Sequence, residues 1–432
     1  HMRLGPLRWL ILGLLFMSTV INYVDRQALS VLLPTLREKL DITSADYGTI
    51  TTVFMLAYMV AQVWAGMWLD KVGTRIGFSI FVVVWSCSAL LHAFVRGPWS
   101  LGIFRCLLGL SEAGNWPAGG KAIARWFPQK RRAFSMAIFD GGSAVGAIIA
   151  PPLVALLALQ FGWRAAFVGT GLLGFVWLLG WLWIFYAPED HPWLSAEDRA
   201  LALSEIGSTQ QKPPAFGAAF GQIIRLRQMW GLMVTRMVAT PVWWFYVFWL
   251  PDYLSKGRGF SLKEIGLYGW IPYLTVDLGK IIGGASSDAM LARGCSASLA
   301  RKSIMIGGAI IMLGGLQVVG ATTAATAIAW VCLATFGFGM WSANILALHA
   351  DLFPSETMGT AVGLTGTAAS LGGAIFTFAA GQFVDRLGYG PVFLAAGTLP
   401  LIACLSLIFG IGAVKMTTLQ SKPATDNLQA PS

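Results

Sequence analysis

Charged residues are scarce in this chain. Only 12% of its 432 residues are Asp, Glu, Lys or Arg, whereas soluble proteins carry about 25%. The chain also has only four histidines and five cysteines, and the cysteines lack the spacing of a metal site. These scarcities exclude a soluble globular protein. They also disfavour a metal centre or a Ser/His/Asp catalytic set, and we expect the cysteines to act as small packing residues.

Long apolar runs account for most of the sequence. A helix needs about 20 apolar residues to cross a bilayer. On this criterion we predict twelve spans, at roughly 8–33, 46–68, 76–95, 99–124, 134–158, 163–186, 228–254, 265–290, 302–320, 323–349, 358–383 and 390–414. The first apolar run continues as a full span, so we expect no cleavable signal peptide, and we treat His1-Met2 as a cloning remnant.

The net charge of +10 does not indicate nucleic-acid binding, because the basic residues are spread over loops. Most of them fall on one set of loops, which agrees with the positive-inside rule. Examples are Arg75, Lys130, Arg131, Arg132 and Arg301. We therefore predict a multi-pass protein in a lipid bilayer, with both termini in the cytoplasm and no nucleic-acid partner.

The chain divides in the middle. Residues 187–227 are polar and proline-rich, which predicts a cytoplasmic linker with a short helix near 195–206. We assign residues 1–186 to an N-terminal six-helix bundle, 228–414 to a C-terminal one, and 415–432 to a disordered cytoplasmic tail. The halves repeat weakly, since Phe127-Pro128 and Gly146 align with Phe353-Pro354 and Gly372. Parallel six-helix repeats of this kind place a substrate site between them.

Four charges lie deep inside predicted spans of the first half: Asp25, Arg26, Arg105 and Glu112. Charge at that depth is costly and usually serves function. Arg26 and Arg105 lie at similar heights, and Arg can hold a carboxylate with two hydrogen bonds. Glu112 follows Arg105 by two helical turns, about 10 Å lower. A desolvated carboxyl near Arg can change protonation as an anion arrives. The alternative is that Asp25–Arg26 and Arg105–Glu112 are fixed structural pairs.

The second half has a different set of candidates. Arg236, Asp277 and Lys280 form a second charged group, interpreted either as a buried structural network or as a direct substrate contact. Trp341 and Asn344 share a face of one span, and we expect both to line the cavity. Further aromatic residues could stack on a bound ligand or belong to an interfacial belt: Trp243, Trp244, Tyr246, Trp270 and Tyr273.

One loop carries a specific motif. Gly66-Met-Trp-Leu-Asp70-Lys-Val-Gly73-Thr-Arg75 resembles the signature loop of the major facilitator superfamily. More narrowly, the stretches INYVDRQALSVLLPTL and FRCLLGLSEAGNWPAGGKAIARWFP resemble the anion:cation symporter family, and RQMWGLMVTRMVATPVWW resembles its hexuronate transporters. The resemblance implies an all-α membrane protein of twelve helices in two pseudo-symmetric bundles.

The resemblance also implies roles. Asp25 and Glu112 match the family's proton-coupling acids, and Arg26 and Arg105 match its substrate and coupling arginines. Tyr58 matches a substrate-contact pattern. Ser143 matches a polar sugar contact, although a small Ser may equally serve close helix packing. The family implies a monomer without an organic cofactor, with protons as the coupling ion.

The signature loop predicts a gate. Gly66 would allow close helix contact, and Asp70 would cap a neighbouring helix or pair with Arg75 or a basic residue of the next loop on that side. Asp288 with Arg293 is a degraded copy in the second half. At the other end of the protein, Asp385 could make an outer-gate contact.

The function predicted is a proton-coupled symporter that imports a sugar acid, most simply a hexuronate such as galacturonate or glucuronate. The Asp25-Arg26 pair also suits transporters of galactonate or glucarate, and an aromatic acid or a dicarboxylate is a further alternative. Ala150 stands where proton antiporters carry Gly before the proline, which disfavours antiport. A membrane enzyme or a nutrient sensor without transport is disfavoured by the absence of catalytic residues and of a signalling domain.

Overall fold

The computed structural model describes residues 3–207 and 216–415. These residues form α-helices without any β-strand, which confirms the all-α class. The N-terminal half comprises α1 (Leu4–Leu40), α2 (Ser44–Val72), α3 (Thr74–Leu91), α4 (Pro98–Glu112), α5 (Asn115–Trp126), α6 (Gln129–Phe161) and α7 (Trp163–Ile184). Two short helices follow, α8 (Ala196–Gly207) and α9 (Phe216–Ile223). The C-terminal half comprises α10 (Arg227–Ala239), α11 (Pro241–Asp252), α12 (Leu262–Tyr268), α13 (Ile271–Ala292), α14 (Ala297–Met312), α15 (Ala324–Leu352), α16 (Ser355–Leu387) and α17 (Gly390–Leu405).

Twelve segments cross the described part of the bundle, in agreement with the twelve predicted spans. We call each of them a rod, whether it is one helix or two consecutive helices. Eight single helices are long and apolar enough to cross a membrane, and α2 is a bent ninth. The remaining three rods are each made of two helices: α4 with α5, α10 with α11, and α12 with α13. Their interruptions explain why none qualifies as a single apolar helix.

Glycine and proline mark these interruptions. The α4–α5 break includes Gly114. Pro241 and Pro272 lie in the first turns of α11 and α13, where the backbone N–H that proline lacks would have no partner within the helix. Three helix starts of the described residues carry a capping box. Thr43 and Asp46 exchange hydrogen bonds at the start of α2, and Ser261 and Glu264 do so at the start of α12. The third is Thr323 with Thr326 at the start of α15.

The internal repeat is visible in helix packing. A Cβ atom on Gly146 of α6 would lie 2.6 Å from the Val20 carbonyl oxygen of α1. A Cβ atom on Gly372 of α16 would lie 2.0 Å from the Met237 carbonyl oxygen of α10. The two aligned glycines thus serve the same close contact, between the first and fifth rods of each half. The sequence repeat is therefore a structural repeat at these positions.

The two ends of the bundle differ. We call the end that carries the start of α1 and helices α8 and α9 the linker side, and the end that carries Leu40, Ser44 and Asp252 the far side. The halves meet through α1 against α11, α2 against α16, and α6 against α12 and α13. Near the far side Gly48 and Gly381 are so close that a Cβ on Gly48 would lie 2.8 Å from the Gly381 Cα. The halves are therefore tightly joined there.

The segment between the halves is only partly described. Helix α8 (Ala196–Gly207) confirms the helix predicted near 195–206. The rest of the predicted linker includes 208–215, which lies outside the described residues. The predicted disordered tail likewise lies outside them from residue 416 onward. The domain boundaries stay predictions.

We predict that Gly372→Ala destabilises the protein, because the added methyl group would overlap the Met237 carbonyl and push α16 from α10. Overpacking of this kind costs about 1–3 kcal/mol. Gly363→Ala is the control, since a Cβ at Gly363 of the same helix meets nothing within 4 Å. Thermal unfolding in detergent should show a lower Tm for Gly372→Ala alone. Equal Tm values for both variants would contradict the close contact.

Candidate functional site

Arg26 occupies an aromatic cage midway along α1. Its guanidinium carbon lies 4.8 Å from the ring centre of Tyr23, 5.0 Å from Tyr58, 5.3 Å from Phe54 and 5.5 Å from Trp244. Trp244 belongs to α11, so the cage includes both halves of the protein. Ring faces attract a cation, and the attraction is stronger where water is excluded. The cage therefore holds a cation at the junction of the halves.

The charge of Arg26 is balanced by Glu112 of α4. The Nε atom of Arg26 donates to Glu112 Oε2 at 3.0 Å, and its Nη2 atom lies 3.0 Å from the same oxygen. Nη2 also donates to Asn22 Oδ1 at 3.1 Å. The side chains of Arg26 and Glu112 are only 1% and 0% exposed. Because a lone charge so deep would be very costly, each charge is stabilised at this depth by the other.

The second arginine and the second acid are less well satisfied. Arg105 of α4 donates from Nη1 to the Arg26 carbonyl oxygen at 3.1 Å, while its Nε and Nη2 atoms are buried without a partner. Both carboxyl oxygens of Asp25 are also buried without a hydrogen bond, although the Thr170 hydroxyl lies nearby. Oε1 of Glu112 is in the same state. The site thus has buried donors and acceptors that no protein group satisfies, which marks it as a candidate binding site.

The four intramembrane charges predicted from sequence do come together. The sequence suggested the fixed pairs Asp25–Arg26 and Arg105–Glu112. In the structure Arg26 of α1 instead pairs with Glu112 of α4. Tyr58 lies beside Arg26 as expected of a substrate contact. Sequence reasoning missed Asn22, Tyr23 and Phe54. Tyr23 lies one helical turn before Arg26, and that spacing was the available signal.

The expected cavity-lining residues of α6 and α15 are all buried in this conformation. Ser143 of α6 is buried and has no close role in the Arg26 cluster. Asn344 donates to the carbonyl oxygens of Gly283 and Met340, and its Oδ1 atom has no partner. Trp341 is 1% exposed. Both residues pack within the C-terminal half in this conformation, and their role as cavity lining stays a prediction.

The signature loop makes other contacts than those predicted. Asp70 pairs with Lys121 of α5. The guanidinium of Arg75 instead stacks on the Tyr186 ring at 3.8 Å. In the C-terminal half Asp288 pairs with Arg301 at 2.9 Å, which replaces the expected partner Arg293. Both observed partners, Lys121 and Arg301, lie on neighbouring helices, whereas the predicted partners were Arg75 or a basic residue of the next loop for Asp70 and Arg293 for Asp288.

Gly66 also differs from its prediction. A Cβ atom there would meet nothing within 4 Å, so Gly66 makes no close helix contact in this conformation. The side chain of Asp70 is 73% exposed. The signature loop is therefore loosely packed on the linker side.

A network of charged residues closes the far side. Arg37 of α1 donates to both carboxyl oxygens of Asp252 of α11, from Nε at 2.8 Å and from Nη2 at 3.0 Å. The Tyr389 hydroxyl donates to Asp252 as well. Asp385 of α16 accepts from the backbone N–H of Ser44 at 2.8 Å and from Lys256 at 2.6 Å. Asp385 is thus the outer contact expected from sequence, while the bidentate Arg37–Asp252 pair was not foreseen.

Hydrogen bonds deeper in the far side also join the halves. The Tyr47 hydroxyl donates to the Phe248 carbonyl oxygen at 2.7 Å, and the Thr51 and Thr377 hydroxyls lie 2.9 Å apart. On the linker side, by contrast, the ion pairs among the described residues stay within one half or reach only α8 and its approach: Asp70–Lys121, Arg301–Asp288, Arg301–Asp351, Arg8–Glu205 and Arg125–Glu189. The two halves are therefore held together by polar contacts on the far side, whereas no ion pair among the described residues joins them on the linker side.

The second charged group separates into two sites. Lys280 lies 3.5 Å from Asp277 on the same helix and within electrostatic range of Asp140 on α6. Arg236 is not part of this group and donates instead to the Thr365 hydroxyl at 3.0 Å. A single buried network of Arg236, Asp277 and Lys280 is therefore wrong, since Lys280 and Asp277 are also partly exposed.

Comparison with known proteins identifies the family. The sequence profile described as Major Facilitator Superfamily matches residues 15–377. The chain belongs to that superfamily. It is 35% identical to the hexuronate transporter of Escherichia coli K12 over 99% of this chain and 97% of that protein. It is also 35% identical to the galacturonate transporter of Dickeya chrysanthemi, over 72% of this chain and 91% of that protein.

A solved structure supports the same fold. A bacterial homologue of the human lysosomal transporter Spinster, inward-facing and unoccupied, matches with a TM-score of 0.73 at 18% identity. The match covers 95% of this chain and 96% of that one. The expected superfamily, the two-bundle fold and the assignment to transporters rather than enzymes are confirmed.

We predict strong coupling between Arg26 and Glu112 in the stability of the protein. Arg26→Gln should destabilise it by about 3–5 kcal/mol, because Glu112 loses its buried partner. The double variant Arg26→Gln/Glu112→Gln should recover much of that loss, since two amides can share a hydrogen bond. A double-mutant cycle of thermal unfolding at neutral pH measures the coupling. Simply additive effects would refute the mutual dependence of the two charges.

We also predict that Asp252→Asn loosens the far side. The substitution removes the charge that holds Arg37, and a broken buried pair leaves that charge uncompensated. Spin labels at Glu38 and Lys263, both exposed on the far side of opposite halves, should then show an added population at longer distance. Asp41→Asn, in an exposed far-side turn, is the control. An unchanged distance distribution in Asp252→Asn would show that the pair is not part of the gate.

Proposed function

We propose that this chain is a proton-coupled symporter that imports a hexuronate, such as galacturonate or glucuronate, by alternating access. The observation that carries the proposal is the buried Arg26–Glu112 pair inside an aromatic cage shared by both halves. The similarity to a hexuronate transporter along nearly the whole chain supports the substrate class. The far-side closure supports a cycle in which the site faces one side at a time.

Charge balance explains the coupling. With all groups ionised, Asp25 and Glu112 balance Arg26 and Arg105, so the cluster is neutral. A substrate carboxylate would add one negative charge at a depth where charge is poorly tolerated. One proton on Glu112 restores neutrality and also releases Arg26, which can then bind the substrate carboxylate through two hydrogen bonds. One proton per monocarboxylate is thus the minimum that this site requires.

The aromatic residues suit the rest of the substrate. A sugar acid carries hydroxyl groups on one side of its carbon chain and C–H groups on another. Tyr58 offers a hydroxyl, and the indole N–H of Trp244 is buried without a partner, so it can donate to a sugar oxygen. The ring faces of the cage can pack on C–H groups. The site therefore matches a polar anion better than an inorganic ion.

The orientation follows from the positive-inside rule. The linker side carries most of the loop arginines and lysines, so we assign it to the cytoplasm. In the conformation described, the far side would face the periplasm and be closed, and a bound substrate would leave toward the cytoplasm. We place the protein in a bacterial inner membrane and expect it to work as a monomer, with protons as its coupling ion and no other cofactor.

Transport in proteoliposomes tests the proposal. Galacturonate uptake should rise with an inward proton gradient and fall to the passive level when a protonophore is added. Among galacturonate, glucuronate, galactonate, glucarate and galactose, the hexuronates should compete best for uptake, while the neutral sugar should not compete. Preference for galactonate or glucarate would correct the substrate, and uptake indifferent to the gradient would refute proton coupling.

Glu112→Gln separates coupling from binding. The amide mimics the protonated acid, so we expect counterflow exchange of galacturonate to persist and gradient-driven accumulation to be lost. Glu38→Gln, which changes an exposed acid at the far end of α1, should behave like the parent. Accumulation by Glu112→Gln at the parental level would show that Glu112 is not the proton carrier.

A further inference from the structure

Arg236 is a partly buried cation without a carboxylate partner. It lies in α10 of the C-terminal half, where Nη1 donates to the Thr365 hydroxyl at 3.0 Å, while its Nε atom is buried and unpartnered. No carboxylate of the described residues forms an ion pair with it. Arg236 does interact electrostatically with His349, but that side chain would be a second cation if it were protonated.

The other deep cations of the described part are all compensated. Arg26 pairs with Glu112, Arg105 lies within electrostatic range of Asp25 and Glu112, and Lys280 is flanked by Asp277 and Asp140. Arg cannot lose its charge, so an unpaired Arg at this depth remains a standing cost. In a protein that carries an anion, the missing counter-charge has an obvious source in the transported carboxylate.

The surroundings hold Arg236 in place rather than neutralise it. The Thr365 hydroxyl contacts three groups: Arg236 Nη1, His349 Nε2 at 2.8 Å and the Val362 carbonyl oxygen at 3.1 Å. His349 Nδ1 lies 2.8 Å from the Ile345 carbonyl, which can only accept, so Nδ1 carries the hydrogen. The single hydrogen of the Thr365 hydroxyl is donated either to Nε2 of neutral His349 or to the Val362 carbonyl, and in both cases its oxygen can accept from Arg236. The chain fixes one edge of the guanidinium and leaves other donors available.

Arg236 lies on the linker side of the Arg26 cage. Arg236 precedes Trp244 by eight residues on the same rod, which corresponds to about 12 Å along the helix axis. Trp244 contacts Arg26, and α10 runs from the linker side toward it. Arg236 is also partly exposed, so it is not sealed within the helix bundle. For a carboxylate that leaves the cage toward the linker side, Arg236 is therefore a guanidinium about 12 Å farther along these two helices.

We propose that Arg236, held by Thr365, forms a second carboxylate-binding subsite that receives the substrate on the linker side of the Arg26 cage. The inference rests on the proposed function. When Glu112 loses its proton it reclaims Arg26, and the substrate carboxylate is expelled from the cage. Arg236 gives the departing anion an intermediate partner in the C-terminal half. The step needs no covalent chemistry, only transfer of one carboxylate from one guanidinium to the next.

The subsite should affect the two faces of the protein differently. Substrate entering from the far side meets the Arg26 cage first, whereas substrate entering from the linker side meets Arg236 first. Galacturonate transport is therefore measured in right-side-out and in inside-out membrane vesicles. We expect Arg236→Gln to raise the KM at the linker face about tenfold, the size of a lost charge-assisted hydrogen bond, and to change the far-face KM less than about twofold.

Two further variants control the experiment. Arg236→Lys keeps the charge but loses the planar fork, so its linker-face KM should lie between those of the parent and Arg236→Gln. Arg293→Gln removes an exposed charge at the linker-side end of α13 and should match the parent at both faces. This control excludes a general effect of lowering positive charge at that side.

The outcomes separate the hypotheses. An unchanged linker-face KM in Arg236→Gln, or an equal rise at both faces, would overturn the subsite, as would an Arg236→Lys protein as impaired as Arg236→Gln. If the parent itself carries no sugar acid in either vesicle orientation, the proposed function fails. A parent that transports hexuronate normally while Arg236→Gln shows no asymmetry leaves the proposed function intact and removes only the second subsite.

Discussion

The buried Arg26–Glu112 pair is the interaction on which the rest of the site depends. Each charge is held at full burial only because the other is there. That dependence makes Glu112 sensitive to whatever else approaches Arg26, and a carboxylate is the strongest competitor for a guanidinium. A site that must choose between its own acid and an incoming acid, and that can neutralise its own acid with a proton, links the two ligands by electrostatics alone.

The far-side network and the Arg26 cage act at different distances from the same interface. Arg37–Asp252 and Asp385–Lys256 hold the halves together at one end, while Trp244 brings the second half against Arg26 at mid-depth. A rearrangement in the cage that moves Trp244 therefore also displaces α11, the helix that ends at Asp252. This shared helix connects site and gate through rigid packing and requires no flexible relay.

The sequence predicts the spans well, because a bilayer demands an apolar run at each crossing, and it predicts that Asp25, Arg26, Arg105 and Glu112 matter, because charge is so unusual there. It does not predict which of them pair. Arg26 and Glu112 are far apart in the chain and meet only once α1 and α4 pack. Arg37 and Asp252 escape notice for a different reason: both lie at span ends, where charge is ordinary, and their importance arises from an interface between halves. The predicted gate partners of Asp70 and Asp288 are wrong because contacts between helices are not visible in the sequence. The observed partners, Lys121 and Arg301, lie on neighbouring helices.

The distribution of compensated and uncompensated charge gives the transport path a direction. The N-terminal half contains two acids and two arginines, so under the proposed function an anion binds there together with a proton. The C-terminal half contains Lys280 between two acids, which is already balanced, and Arg236, which is not. An anion freed by deprotonation in the first half thus finds its remaining favourable charge in the second half, toward the side where the halves are untied. Attraction there need only be weak and exposed enough to let the anion leave, and the single hydroxyl contact and partial exposure of Arg236 meet that requirement.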